Sequence, residues 1–350
     1  MLYQILNSFL KQTDPEMAHK YAIKFLKQNI IPFDFFKFAT DETLKIKVFG
    51  IDFDNPIGLA AGFDKNAEVY NSIFKLGFGF SEVGTITPEP QYGNPKPRVF
   101  RLNADQAIIN SLGFPNDGMN IIHERIKNNP KKSILGINIG PNKENATKEE
   151  DYLKCIEKLY PLADYITINI SSPNTPNLRN LHDKKKILDL VNILQKFKND
   201  YKENKAIIFK LSPNLNDPEI NDLSEIFLEK KIDGIVLTNT TVKGKELLKD
   251  ENKNKEGGLS GNPLNLISNR IIKNFYTNFN GTIPIIGVGG VSDGITAYEK
   301  IKCGASLLQL YTALVFKGPY VASKINKELS NLIKKDGLKN ISEAIGVNAN

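Results

Sequence analysis

At 350 residues and 41% hydrophobic content, the chain is long enough to bury one large core and too apolar to be generally disordered. Its formal charge of +7 comes from 46 basic against 39 acidic residues, mostly Lys, with no dense basic stripe interleaved with aromatics; this sets nucleic acid aside and favours attraction to anionic lipid. Cys155 and Cys303 form neither a CxxC pair nor a disulfide framework, so no metal site is expected and a reducing compartment is.

Residues 1 to about 40 read as a unit of their own. Leu2, Ile5, Leu6, Phe9 and Leu10 share one helical face, closed by Lys11. The capping-box pattern Thr13-Asp14-Pro15-Glu16 predicts a second helix, with Pro where its missing N–H does no harm. Met17, Tyr21, Phe25 and Leu26 lie on one side of it, and Lys20, Lys24 and Lys27 fill much of the rest. The aromatic run at 30–38 is too short to span a bilayer and too apolar for a free linker. The two helices can pack on the main domain, or lie in a membrane interface with their lysines toward the headgroups; the two uses suit different faces. No apolar run reaches about 18 residues and no signal-peptide pattern opens the chain, so neither a bilayer span nor secretion is expected.

From about Lys45 strands alternate with helical segments. A hairpin turning at Gly50 is predicted over 45–53, followed by eight candidate barrel strands near 57–60, 81–83, 133–138, 165–170, 206–211, 234–237, 284–288 and 307–310. Eight such units match a (β/α)8 TIM barrel, α/β in class, with its active site at the carboxyl ends of the strands. A doubly wound open sheet is the alternative. The domain reading is a helical extension at 1–40 and a barrel at 41–350. The charge run at 243–256, KGKELLKDENKNKE, reads as a mobile, solvated loop or else a substrate lid.

The strand ends carry the chemistry. In YITINISSPNTPNLRN, residues 165–180, a β-rich run is stopped by Pro173 and Pro176, with Asn169, Ser172, Asn174 and Thr175 crowded at its carboxyl end. Alone, this reads rather as a Pro-broken turn whose polar groups bond their own backbone, and the rest of the chain reverses that reading. Other strand ends repeat the pattern. Ala60, Ala61 and Gly62 would let a flat ring approach the backbone, with the Lys65 cation beside it. Gly84-Thr85-Ile86-Thr87, Gly136-Ile137-Asn138, Phe209-Lys210-Leu211-Ser212 and Thr238-Asn239-Thr240-Thr241 add amides, hydroxyls and a lysine. Gly287-Val288-Gly289-Gly290 and Gln309-Leu310-Tyr311-Thr312 end the seventh and eighth strands, where barrels often bind phosphate. Together they imply a phosphorylated planar cofactor and a small polar substrate.

The stretches LAAGFDK from Leu59, EVGTITPEPQYGNPKPRVFRL from Glu82, NSLGFPNDG from Asn110, INIG from Ile137, INISSPNTPNLRNL from Ile168, FKLSPNL from Phe209, TNTT from Thr238, GGLSG from Gly257, GVGG from Gly287 and LQLYTAL from Leu308 resemble the dihydroorotate dehydrogenase family, in its quinone-dependent, membrane-associated class. The resemblance runs the length of the chain, amino-terminal helices included. It implies a barrel holding one FMN that oxidises (S)-dihydroorotate to orotate in de novo pyrimidine (UMP) synthesis and passes the electrons to ubiquinone or menaquinone. A soluble member of the family using fumarate or a nicotinamide system is the nearest alternative, but that group carries a Cys base and lacks the extension, whereas this chain has Ser172 and residues 1–40. A non-catalytic barrel at a membrane surface is the alternative from another class.

The resemblance also distributes roles. Ser172 is the base that removes a proton from one ring carbon while a hydride leaves its neighbour, and its own proton passes onward through Thr175 or a water. Substrate contacts fall to Lys65, Asn110, Ser111, Leu112, Gly113, Phe114, Asn169, Asn174, Asn239 and Thr240, where carboxamides suit a ring of alternating N–H and C=O groups and Lys65 pairs with the carboxylate. FMN contacts fall to Ala61, Gly62, Phe63, Asp64, Lys65, Thr85, Asn138, Asn169, Lys210, Thr238, Gly261, Gly290, Tyr311 and Thr312, with Lys210 beside the flavin pyrimidine ring. His19, Arg101 and Tyr311 line the expected quinone route, although His19 also reads as a helix-surface histidine; His123 and His182 receive no role. The expected location is peripheral, on the cytoplasmic face of a bacterial membrane reached through residues 1–40.

Overall fold

The computed structural model describes residues 13–28, 41–145, 149–175 and 178–349. Its first element is helix α1 (Pro15–Gln28), followed by strands β1 (Ile46–Val48) and β2 (Ile51–Phe53), β3 (Ile57–Leu59), helix α2 (Tyr70–Ile73), β4 (Phe80–Ile86), β5 (Val99–Leu102) and β6 (Ala107–Asn110). Then come α3 (Gly118–Asn128), β7 (Ile134–Ile139), α4 (Glu150–Leu159), β8 (Tyr165–Asn169), α5 (Lys184–Asp200), β9 (Ala206–Leu211), α6 (Asp217–Glu229) and β10 (Gly234–Leu237). The chain ends with β11 (Gly258–Gly261), α7 (Asn265–Asn278), β12 (Ile285–Val288), α8 (Gly294–Lys302), β13 (Leu307–Leu310), α9 (Thr312–Lys317) and α10 (Val321–Lys335).

The eight expected strands close into one parallel barrel, in the order β3-β4-β7-β8-β9-β10-β12-β13 and back to β3. Helices cover the outside and side chains fill the inside, so these strands read as nearly continuous apolar runs. Bulk alternates with absence in the interior: the Phe80 ring occupies the space a Cβ on Gly58 would need, and the Tyr165 ring does the same at Gly136. Several helices start where the sequence supplies caps, such as the reciprocal Asn216–Glu219 box of α6 and the Asp293–Thr296 box of α8.

The β1–β2 hairpin turns through Phe49 and Gly50, both at positive φ, as a two-residue hairpin loop requires. Phe53 packs edge-on against Phe80 at 5.3 Å and Phe49 lies 6.2 Å from Tyr165, so the hairpin contributes aromatic packing to the barrel interior.

A three-stranded antiparallel sheet, β11-β6-β5, was not among the expected elements. Leu102, Ala107, Ile109, Leu248 and Leu259 form its separate apolar cluster. Leu248 belongs to the charge run at 243–256, which is not the free solvated loop expected. The backbone N–H groups of Lys249 and Asp250 donate to the Asp105 carboxylate, and Lys255 lies over the Phe100 ring.

Helix α1 is the second of the two expected helices, with its cap one residue later than anticipated: the Asp14 carboxylate, rather than Thr13, accepts the N–H groups of Glu16 and Met17. Of its expected apolar side Leu26 is buried, whereas Met17 and Tyr21 are 41% and 47% exposed. Glu16 clamps the helix to Arg98 at 2.9 Å, and Arg101 donates to Thr13 O at 2.6 Å. The expected first helix and the aromatic run at 30–38 lie outside the described residues. Among the described residues no helix is long and apolar enough to cross a membrane.

Candidate active site

The carboxyl ends of the barrel strands open into a cavity of about 1800 Å³, walled on one side by α1. Its chemistry is ordered by a carboxylate below its floor. Glu82, fully buried within β4, accepts hydrogen bonds at Oε2 from Tyr165 Oη at 3.1 Å, Thr167 Oγ1 at 3.0 Å and Gln309 Nε2 at 2.8 Å. Its Oε1 accepts from Asn138 Nδ2 at 2.8 Å.

That last bond sets the direction of a chain. With its N–H committed to Glu82, Asn138 presents Oδ1 to Thr85 Oγ1 at 2.7 Å; Thr85 then accepts from Asn169 Nδ2 at 2.9 Å, and Asn169 Oδ1 accepts from Asn239 Nδ2 at 3.3 Å. One buried charge thereby fixes the amide orientation of residues on β7, at the end of β8 and beyond β10. Thr85 and Thr238 each follow a cis peptide bond at a strand end.

After β8 the loop folds on itself: Ser172 Oγ accepts the N–H of Asn174 at 3.2 Å, and Asn174 Nδ2 donates to Asn110 Oδ1 at 3.1 Å. Asn94 Nδ2 bridges the carbonyls of Ser111 and Asn174, fastening the 110–114 segment to this loop. Ser172 and Thr175 are both buried, and no hydrogen bond joins their hydroxyls among the described residues.

Two lysines bring positive charge. Burial lowers the pKa of Lys210, opposed by the charge of Glu82. Burial likewise pushes Lys65 down to about 8, with Glu16 and Asp64 pulling it up and Arg98 acting with burial. Lys65 Nζ lies 3.5 Å from His19 Nε2. Desolvation and that neighbouring cation hold His19 well below its ordinary pKa, so its neutral ring can accept at Nε2. The His19 ring meets Phe63 edge-on at 5.2 Å, and Phe63 meets Tyr311 at 5.6 Å.

Across the cavity, Gly261, Gly289 and Gly290 have φ of 101°, 111° and 72°. A Cβ on Gly290 would lie 2.4 Å from the Asn265 side chain, so only glycine permits this turn. Ser260 Oγ and Thr312 Oγ1 are 2.8 Å apart at the same end. Among the described residues Thr238 Oγ1, Thr240 Oγ1 and Gln309 Oε1 are buried without a hydrogen-bond partner, although all three residues line the cavity. Each such orphan costs about 1–3 kcal/mol unless a ligand or water satisfies it. Orphan polar atoms, two lysines in the lining and glycine turns fit a polar, anionic, flat group.

The expected site residues converge on this cavity with three exceptions, one of them Thr175, which is buried but does not line it. Asn138 stands behind Thr85, and Ser111 contributes its backbone to the loop fastening rather than a side chain to the wall. Asp64 lines the cavity but spends its carboxylate on the N–H groups of Glu68 and Val69, shaping its own loop. Sequence reading missed Glu82 and Ser260, and placed Gln309 at a strand end without giving it a role. The available signal for Glu82 was the single charge inside the strand FSEVGTI, whose other residues are uncharged.

A closed parallel barrel with polar groups converging at its carboxyl end defines a (β/α)8-barrel enzyme. The family model described as dihydroorotate dehydrogenase matches residues 43–333, and the chain belongs to that family. It is similar to a dihydroorotate dehydrogenase (quinone) of Bartonella henselae, 44% identical with 95% of this chain and 92% of that protein covered. It is also similar to the mitochondrial dihydroorotate dehydrogenase (quinone) of Mus musculus, 42% identical with 95% and 87% covered. Among solved structures, a ligand-free DHODH from Eimeria tenella superposes with a TM-score of 0.92 at 37% identity, covering 96% of this chain and 99% of that one.

Proposed function

We infer that the chain oxidises (S)-dihydroorotate to orotate with a quinone as final electron acceptor, in pyrimidine synthesis, and that its flavin is FMN. The observation that carries the residue-level reading is the Asn239–Asn169–Thr85–Asn138–Glu82 chain leading to the Ser172 loop. It presents oriented carboxamides to a substrate that itself alternates N–H and C=O.

Asn110, Asn169, Asn174 and Asn239 bind the substrate ring, and the Lys65 ammonium pairs with its carboxylate. Leu112, Gly113 and Phe114 close over it, with Thr240 at the edge. Ser172 takes the proton from one ring carbon at Oγ, where the N–H of Asn174 already fixes the hydroxyl. The proton then leaves Ser172. With no direct bond to Thr175, a water is the favoured first carrier, with Thr175 available beyond it.

FMN, when bound, supplies the hydride acceptor. Ala61, Gly62 and Thr85 would face its ring, Lys210 would favour the negative charge of its reduced form, and Gly261, Gly290 and Thr312 would hold its phosphate end. Phe63 and Tyr311 pack together where α1 meets this wall, and with His19 and Arg101 they mark the route for the quinone. The exposed Met17 and Tyr21 beside Lys20 and Lys24 support residues 1–40 as a peripheral extension resting on an anionic membrane, with 41–350 as the catalytic barrel. The cytoplasmic face of a bacterial membrane suits this reading.

The test is turnover of dihydroorotate by the purified chain with a soluble quinone, fumarate or NAD as acceptor. Orotate formation with quinone alone is the expected result; equal rates with fumarate or NAD would move the chain to the soluble class.

A further inference from the structure

Behind the 287–290 turn, outside the barrel wall, lies a lysine with no exposed surface. Lys300 comes from α8, and its stem runs against β12 because residue 287 has no side chain: a Cβ on Gly287 would sit 2.8 Å from Lys300 Cδ. Its ammonium donates to Ser268 Oγ at 3.0 Å and to Asn269 Oδ1 at 2.5 Å. Among the described residues no carboxylate stands within ion-pair distance of it.

Both acceptors pass the interaction to the same place. Ser268 Oγ donates to Val288 O at 2.6 Å. Asn269 Nδ2 donates to Asn265 Oδ1 at 3.3 Å, and Asn265 Nδ2 donates to Gly290 O at 3.3 Å. One buried cation therefore heads two directional chains, each ending on a carbonyl of the glycine turn. In a trans peptide the N–H points opposite to the C=O. Val288 O also accepts the Thr238 N–H of the β10 ladder at 3.0 Å, so the Lys300 network bears most directly on Gly290 O; drawing that carbonyl back toward Lys300 turns the N–H of Val291 the other way, on a segment that lines the cavity.

We propose that Lys300 is a positioning residue for an anion at this turn: it orients the backbone donors and lends them positive charge from behind, so that the turn selects a ligand carrying a phosphate. The inference rests on the FMN reading above and deepens it, since it concerns how the phosphate rather than the flavin ring is recognised. Burial pushes Lys300 down to about 7, with Cys303 and Glu299 acting against that shift, and an anion across the turn would favour its charged form.

The experiment compares two ligands that share a ring and differ by the phosphate. Stripped full-length protein is titrated with FMN and with riboflavin, following flavin fluorescence, for wild type and Lys300→Met. Wild type is expected to prefer FMN. In Lys300→Met, FMN affinity should fall about 10- to 100-fold, the range for charge-assisted hydrogen bonds, while riboflavin affinity stays within about twofold. Should Lys300→Met not fold, Ser268→Ala and Asn269→Leu each cut one chain, and each should lower the FMN-to-riboflavin preference about 3- to 10-fold. A preference unchanged in the variants, or equal losses for both ligands, overturns the role of Lys300 while leaving FMN as the cofactor. Wild type that binds riboflavin as well as FMN, or binds neither, overturns both readings.

Discussion

Asn174 donates to Asn110 at 3.1 Å, joining the loop after β8 to the end of β6 across 64 residues of sequence. The Asn110 amide group in turn donates to Gly258 O at 3.5 Å, and both asparagines line the cavity. Each carboxamide helps to orient the other, so on the proposed reading their contributions to substrate binding are coupled.

Asn110→Ala and Asn174→Ala should each raise KM for dihydroorotate about 10-fold or more, at about 1.4 kcal/mol per tenfold. The double variant should lose less than the product of the two. A steady-state double-mutant cycle measures this, and strictly multiplicative losses would show that the pair acts independently.

Lys65 gives the site a pH dependence with a definite sign. Its pKa of about 8 in the free protein means that the ammonium is present at pH 7 and lost as pH rises past 8. Only the charged form pairs with a carboxylate, so KM for dihydroorotate should rise by about 30-fold between pH 7 and 9.5. Because the bound carboxylate raises the lysine pKa, kcat should change far less over that range. Lys65→Met should bind weakly at every pH and lose this dependence; a flat wild-type KM profile would remove Lys65 from substrate binding.

Glu82 organises donors from β7, β8 and β13, so its loss strands several buried polar groups at once. Glu82→Leu should lower stability by about 3–5 kcal/mol, read as a fall in the urea midpoint of the full chain. Glu82→Gln keeps the volume and should cost less, though its amide donors meet donors already aimed at the carboxylate. An unshifted midpoint in Glu82→Leu would contradict the hub.

Deleting residues 1–40 should weaken liposome binding and quinone turnover while sparing reduction of the flavin by dihydroorotate. The Glu16–Arg98 ion pair and the Thr13–Arg101 bond would be lost together, opening the wall of the cavity that α1 forms. Unchanged quinone kinetics would separate the extension from the second half-reaction.

The barrel was legible because its strands are buried on both faces and spell β-branched runs ended by Gly, Pro or Asn, as at Ile168 to Pro173. Strands β5, β6 and β11 were not. Each is short and mixes Arg101, Asn110 or Ser260 with apolar residues, and β11 pairs with β6 from roughly 150 residues away, a relationship no local pattern carries. The charge run at 243–256 hid one anchoring apolar residue, Leu248, and a distant partner, Asp105. The residues that the strand ends bring to the cavity were readable by type. Glu82 and Lys300 were not, because each acts from behind the cavity through neighbours that only the fold supplies.

On the proposed mechanism Ser172 starts the reaction as its base. The most direct measurement is the anaerobic rate of flavin bleaching when dihydroorotate is mixed with Ser172→Ala, beside wild type. Bleaching about 100- to 10,000-fold slower, with FMN still bound and quinone still restoring the colour of chemically reduced enzyme, is the expected result. Bleaching at the wild-type rate would contradict it and move the base to another residue.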